Sequence, residues 1–285
     1  MKSAKLHNWD WEISGRTSWW NFKFKEWWMH RHLLGRLIRR EFLLNYQQTM
    51  LGPAWILLQP ILTLIVFVLV FGKIIGINTG AVPPVLFYLS GIVLWNFFHE
   101  SFLGAAFAFT MNARLYSKVY FPRLIIPVAN LTSQAIRFLI QFGLLILVWL
   151  YFVIFKDYKM NLTPYTILVP VAVVMVGIIS FSVGTLFSIL TAKYRDLSNV
   201  VHLGLRLMMF VTPVFYPSSY FSDSVKWVAN LNPLTPLFEF FRFALLGQGV
   251  FSAEQLWYSV AFTVVIFFLS NAIFSKQSDK LIDVV

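Results

Sequence analysis

Side chains able to do chemistry are sparse here, and most lie in or beside apolar runs. Glu100, next to His99, stands in one run, Arg137 in another, and His202 with Arg206, one helical turn apart, in a third. An ion-coupled carrier would use such titratable groups at a membrane midplane. Their placement predicts instead a structural bridge between Glu100 and Arg137, and an Arg206 that snorkels to headgroups. The phosphate-cradling pattern GxxxxGK[ST] is missing, because Gly72-Lys73 is followed by Ile74. Five scattered His residues, no HExxH spacing and no Cys leave no expected metal site and no thiolate nucleophile. A membrane-embedded glycosyl- or acyltransferase would pair acidic residues near a loop to hold a metal–diphosphate substrate. Asp196 stands alone there, and no DxD pair occurs.

The elements that must position these groups are long and apolar. Hydrophobic residues make up 58% of the chain and charged ones 12%, about half the charge of a soluble domain. Lipid must therefore solvate much of the surface. Runs of about 20 apolar residues can cross a bilayer as helices. Six are expected, at 54–75, 85–111, 124–155, 165–191, 200–216 and 256–274. The third exceeds the bilayer core, so it should tilt, kink near Pro127 or project into water.

Charge sets the expected orientation. With the N-terminus inside, segments 1–53, 112–123, 192–199 and 275–285 hold sixteen Lys and Arg, and the outer segments hold four. That asymmetry predicts both termini in the cytoplasm. The net charge of +11 is spread through short gaps between apolar runs. This distribution suits anionic lipid headgroups, not a nucleic-acid groove. Residues 1–50 show no compact apolar stretch and no small-residue cleavage site, so no signal peptide is expected.

Within 27–48, Leu34, Leu37, Ile38 and Phe42 recur at helical spacing with Arg36, Arg39 and Arg40 between them. The pattern predicts an amphipathic helix at the interface, anchored by Trp19, Trp20, Trp27 and Trp28. An ordinary solvated helix leading into the first span would read similarly. The 217–255 segment, punctuated by Pro217, Pro233 and Pro236, predicts short helices dipping into the outer membrane edge. Aromatic residues form 18% of the chain. Clusters such as Phe87-Tyr88, Trp95-Phe97-Phe98 and Phe210…Phe215-Tyr216 fit lipid-facing packing. They also fit a path along which sugar rings slide by stacking their C–H faces.

One stretch and three later elements carry a family resemblance. Arg39-Arg40-Glu41-Phe42, Tyr46-Gln47-Gln48-Thr49-Met50-Leu51-Gly52-Pro53-Ala54-Trp55 and Gln59-Pro60 resemble the lead-in to the first span of ABC-2 polysaccharide-export permeases. Phe87-Tyr88-Leu89-Ser90-Gly91-Ile92 with Trp95-Asn96-Phe97-Phe98 resembles that family's second span. Tyr194-Arg195-Asp196-Leu197 resembles its Arg-Asp element after span four. Thr212-Pro213-Val214-Phe215-Tyr216 and Asn232-Pro233-Leu234-Thr235-Pro236 resemble its outer edge. The four occur in order over residues 36–242. The family comprises membrane subunits of O-antigen, capsule and teichoic-acid exporters, and the long Trp-rich N-terminal segment looks most like the O-antigen branch.

The resemblance implies an all-α integral membrane protein of the bacterial inner membrane. Residues 1–53 would form a cytoplasmic segment with its interfacial helix, 54–274 a six-span domain, and 275–285 a cytoplasmic tail. It further implies a transport subunit, not an enzyme. Such a subunit works as a homodimer with two separate ATPase subunits that bind ATP and Mg. A coupling helix at about 112–123, with Arg114, Leu115 and Lys118, would meet the ATPase near Arg195 and Asp196. Gate helices at about 217–247, marked by Tyr216, Pro217, Pro233 and Pro236, would close the outer end. Trp55, Tyr88, Trp95 and Phe98 become the expected aromatic lining. The implied cargo is an undecaprenyl-diphosphate-linked glycan. Arg36, Arg39 and Arg40 would either attract its diphosphate, whose geometry guanidinium groups match, or simply anchor the helix. A permease for another lipid or small amphiphile would share this architecture.

Overall fold

The computed structural model describes residues 30–44, 46–118, 121–158, 163–247, 249 and 252–281, and these are helical throughout their regular parts. In chain order the helices are α1 (Arg31–Leu44), α2 (Trp55–Phe67), α3 (Pro84–Ala106), α4 (Ala108–Met111) and α5 (Ala113–Lys118). They continue with α6 (Ile125–Phe155), α7 (Val169–Lys193), α8 (Leu197–Val211), α9 (Asp223–Leu231), α10 (Leu234–Leu246) and α11 (Ala253–Leu281). A 3-10 turn at Gly52–Ala54 leads into α2, and a π-helical turn at Val68–Ile74 extends it.

Four helical segments are long and apolar enough to cross a membrane: Gly52–Ile74, Ile125–Phe155, Pro164–Lys193 and Ala253–Gln277. They match the expected first, third, fourth and sixth spans. The other two expected runs differ in an instructive way. The second becomes α3, whose 23 residues (~34 Å at 1.5 Å per residue) are long enough but carry Asn96, His99 and Glu100. The fifth becomes α8, an apolar helix of 15 residues that ends at Val211 instead of reaching Tyr216. Thr212, capping its end, starts the turn that carries Pro213.

The helix α3 is the axis of the bundle. Sixteen of its residues are buried, and it packs most extensively on α6 and α7. Lipid tails give two apolar helices little reason to associate, so close packing and polar contacts must supply the attraction. Small residues provide the closeness. A Cβ on Gly184 would lie 2.6 Å from Ala105 Cβ and 2.8 Å from the Phe102 carbonyl oxygen. Thr191 Oγ1 donates to the Ala106 carbonyl at 2.6 Å, stapling the ends of α7 and α3. The outer helices keep apolar faces exposed, as with Leu139, Leu147 and Ile154 on α6.

The third expected run folds as a single unbroken helix of 31 residues, ~46 Å long. Pro127 causes no break because it sits in the first turn, where an N–H would lack an intrahelical acceptor anyway. The extra length carries the start of α6 into a second, smaller core at the end of the bundle bearing α1 and α5. There Leu37, Phe109, Tyr116, Phe121, Ile126 and Phe274 pack together. α1 buries Leu37 on that core while Arg36, Arg39 and Arg40 stay exposed. Trp19, Trp20, Trp27 and Trp28 lie outside the described residues.

Gly184 yields a direct test of the α3–α7 seam. Gly184→Ala is expected to lower stability by about 1–3 kcal/mol through overpacking, and Gly184→Leu by more. Thermal unfolding of the purified protein in detergent, with gel filtration, measures both.

Candidate functional site

Between α2, α3 and α6 the helices enclose a cavity of about 300 Å³. Its wall is unusually polar for a chain this apolar: Gln59, Asn96, Glu100, Gln134, Arg137 and Gln141 line it with Tyr46, Trp55, Ile56, Phe97 and Phe138. Helical periodicity brings these groups together. Trp55 and Gln59 are four apart on α2, Asn96 and Glu100 four apart on α3, and Gln134, Arg137 and Gln141 three and four apart on α6. Residues at those spacings share a helix face.

The polar groups hold one another and the surrounding backbone. Gln141 Nε2 donates to the Ile56 carbonyl at 3.1 Å, and Asn96 Nδ2 donates to Gln141 Oε1 at 3.4 Å. Arg137 Nη1 donates to Gln134 Oε1 at 3.3 Å, and Nη2 to the Glu41 carbonyl at 3.3 Å, tying α6 to α1. The guanidinium also lies 5.1 Å from the Tyr46 ring centroid. Its Nε is buried and makes no hydrogen bond among the described residues. Glu100 Oε1 contacts His99 Nδ1 at 3.0 Å. The expected Glu100–Arg137 bridge is thus replaced: the two face one cavity, each bonded elsewhere.

The expected aromatic lining divides. Trp55 is 41% exposed at the cavity's rim, whereas Tyr88, Trp95 and Phe98 are 0%, 5% and 1% exposed. Those three rings fill the main core, so in this structure they are packing residues. An aromatic cluster does form at the bundle's opposite end. Phe71 stacks on Phe215 at 4.4 Å, with Phe67, Phe210 and Tyr216 around Phe215.

That opposite end is built on α10. Asn232, Pro233 and Pro236 are buried with the helix, and Pro217 is half-buried ahead of it. Tyr216 donates its hydroxyl to the Phe210 carbonyl. Sequence reasoning missed the pair at its centre, Glu239 and Arg242, whose side chains are 5% and 1% exposed. Arg242 Nη1 lies 3.6 Å from Glu239 Oε1, Nη2 donates to the Val214 carbonyl at 2.6 Å, and the guanidinium sits 4.0 Å over the Phe87 ring. Glu239 Oε1 accepts the Ser218 N–H at 3.1 Å. Gly91 of α3 leaves room for this, because any Cβ there would collide with the Val214 carbonyl and the guanidinium. The i, i+3 spacing of Glu239 and Arg242 was the available signal.

The expected coupling residues share the end bearing α1. Arg114 is exposed, Leu115 packs on the smaller core, and Arg195 and Asp196 are exposed in the α7–α8 turn. The side chain of Lys118 lies outside the described residues. Tyr116 anchors α5: its hydroxyl donates to the Arg123 carbonyl at 3.0 Å, and burial pushes its phenol above the ordinary value.

Comparison with known proteins places these features in a lineage. The profile of the family described as ABC-2 type transporter matches residues 32–246. The O-antigen export system permease protein RfbA of Myxococcus xanthus is 27% identical over 258 residues, covering 90% of this chain and 96% of that protein. RfbA of Klebsiella pneumoniae is 26% identical, with 88% and 94% covered. The polysialic acid transport protein KpsM of Escherichia coli is 21% identical, with 86% and 93% covered.

The buried pair is directly testable. Arg242→Met removes the cation beside Glu239 and the donor to Val214, and is expected to cost about 3–5 kcal/mol. Adding Glu239→Leu should recover much of that loss. Thermal midpoints of the single and double variants measure the difference.

Proposed function

This chain belongs to the ABC-2 type transporter family, and from that membership we propose that it is the permease subunit of an ATP-driven exporter of lipid-linked polysaccharide, O-antigen in type. The observation carrying the reading is the near-complete coverage of permeases named for O-antigen export, at higher identity than the polysialic acid transport protein. Membrane-crossing helices with an absent phosphate loop fit a conduit driven by separate subunits that bind ATP and Mg.

In this reading α3 and α8 join the four long helices as the second and fifth of six spans. Both termini lie in the cytoplasm of an inner-membrane protein. α1 rests at the inner interface, and α9 with α10 closes the outer end. The subunit pairs with a second copy. α8 supports this, because it buries only Val201 and Leu205 in its own chain and leaves Val200, Leu203, Leu207 and Phe210 exposed. Leu62 and Ile65 of α2, and Leu69 of the π-helical turn that extends it, are exposed as well. Two such faces meeting at a seam would separate when the path opens.

An undecaprenyl-diphosphate-linked glycan approaches from the inner leaflet. The exposed Arg36, Arg39 and Arg40 offer it three guanidinium groups one helical turn apart, where planar forks can pair with phosphate oxygens. ATP binding in the partner moves α5 through Arg114 and Leu115, with Arg195 and Asp196 at the same interface. The buried Tyr116 makes α5 rigid enough to transmit that displacement into the smaller core.

Deletion of this gene is expected to abolish surface glycan while lipid-linked glycan accumulates inside the cell. Unchanged surface glycan would overturn the reading. Arg114→Glu combined with Arg195→Glu should cut transport-coupled ATP hydrolysis at least threefold in a complex that still co-purifies with its ATPase. Normal coupled hydrolysis would remove α5 from the interface.

A further inference from the structure

The α2–α3–α6 cavity lies apart from the gate and coupling residues and shares only Trp55 with the expected aromatic path, and its composition is specific. Six polar side chains converge inside an otherwise apolar bundle. Burying polar groups costs free energy unless their hydrogen-bonding capacity is met. Here the capacity is met only in part. Arg137 Nε is buried without a hydrogen bond among the described residues, and Gln59 lines the same cavity from an exposed position on α2. The wall therefore has donors and acceptors in reserve.

Four features define what would satisfy them. Gln59, Asn96, Gln134 and Gln141 provide carboxamides, each both donor and acceptor. Such groups match hydroxyls, which also donate and accept. Glu100 and Arg137 carry opposite formal charges in one wall, so the site has no net preference for an anion. Trp55 presents an exposed indole at the rim, a flat face suited to axial C–H groups. Finally, about 300 Å³ lies at the lower end of the ~300–1,000 Å³ range of small-molecule pockets. That volume suits one or two rings, not a polymer.

We propose that this cavity is a carbohydrate subsite that takes a single uncharged, polyhydroxylated sugar ring, stacked against Trp55 and hydrogen-bonded by the carboxamides of α2, α3 and α6. The proposal rests on the permease reading above, and it adds a place where a sugar is held within one subunit. The site's neighbours give it a role. The Glu41 carbonyl that accepts from Arg137 belongs to α1, so the cavity wall is tied to the helix that carries the exposed Arg36, Arg39 and Arg40. A diphosphate at those arginines and a sugar ring in the cavity would be held by linked helices. Cargo would then be recognised at the junction of lipid and glycan before α2 moves.

The test uses the full-length protein in nanodiscs and saturation-transfer NMR. The probes are the methyl glycosides of glucose, galactose, mannose, rhamnose, N-acetylglucosamine and N-acetylgalactosamine, with inorganic phosphate and glycerol 1-phosphate followed by phosphorus line width. At least one glycoside is expected to receive saturation from the wild-type protein. Gln59→Leu and Trp55→Ala should each reduce that transfer at least fivefold, and Trp55→Phe should retain part of it. Gel filtration and thermal midpoints confirm that each variant is folded, since Gln59 and Trp55 are exposed. The proposal is overturned if no glycoside responds, if the variants respond like wild type, or if only the phosphate probes respond. The permease reading is judged separately, by surface glycan in the deleted strain complemented with the wild-type gene. Restored glycan with a silent cavity would remove the subsite alone.

Discussion

Polar side chains cannot be left facing lipid, and the apolar helix α3 carries several. Asn96, His99, Glu100, Ser90 and Ser101 all lie on it. In hydrocarbon there is no water to satisfy such groups, so they must face protein or a wet cavity. This constraint organises the bundle. α6 and α7 wrap α3 on two sides, α2 and α10 complete the enclosure, and the apolar faces of the outer helices turn to the bilayer. Small residues let α7 come close enough to share backbone contacts with α3. The polar side chains near α3's middle meet the amides of α6 and α2 across the cavity. Packing and site thus have one cause.

The same rule explains the far end. α10 is buried along nearly its whole length although Glu239 and Arg242 both sit on it. A charge enclosed at low dielectric needs a partner and further hydrogen bonds to offset its desolvation. Val214 and Ser218 in the turn after α8 supply hydrogen bonds, and the Phe87 ring of α3 faces the guanidinium. The pair therefore fixes where α10 lies relative to α3 and to the turn after α8. Ser259 and Tyr258 of α11 add hydrogen bonds to the Pro233 and Leu231 carbonyls. These contacts hold α10 in one arrangement against α3, α11 and the turn after α8.

Much of this was legible in the sequence, and the misses have physical reasons. Hydropathy located the four long apolar helices because length and apolarity alone decide whether a helix can span. It gave α3 as a span too, but a window average dilutes Asn96 and Glu100 among many apolar residues and so hides the cavity they line. Asn96, Gln134 and Gln141 were invisible to a search for titratable groups, although their three- and four-residue spacing with Glu100 and Arg137 marked a shared face. The aromatic residues misled differently. Tyr88, Trp95 and Phe98 have the chemistry of a sugar platform, but a side chain's type does not say which way its helix face turns. Burial in the main core decided that, through contacts with α6, α7 and α10 that depend on long-range packing.

The two ends of the molecule divide the work by the kind of interaction each uses. At the far end, a charge pair is sealed against solvent, so opening there must expose or re-pair charges and is energetically steep. In the cavity, the polar groups are mostly neutral amides with one balanced pair of charges, so occupancy can change there without a large desolvation cost. An exporter that must admit cargo readily from one side, yet leak nothing to the other, needs that inequality. Under the proposed function, admission would use the exchangeable hydrogen bonds of the cavity amides and the exposed Trp55 indole. Under the same function, release would require the buried Glu239–Arg242 pair to rearrange, with the work supplied by the ATPase partner. Under the proposed function that inequality opposes leakage, while the direction of transport is set by the ATPase partner.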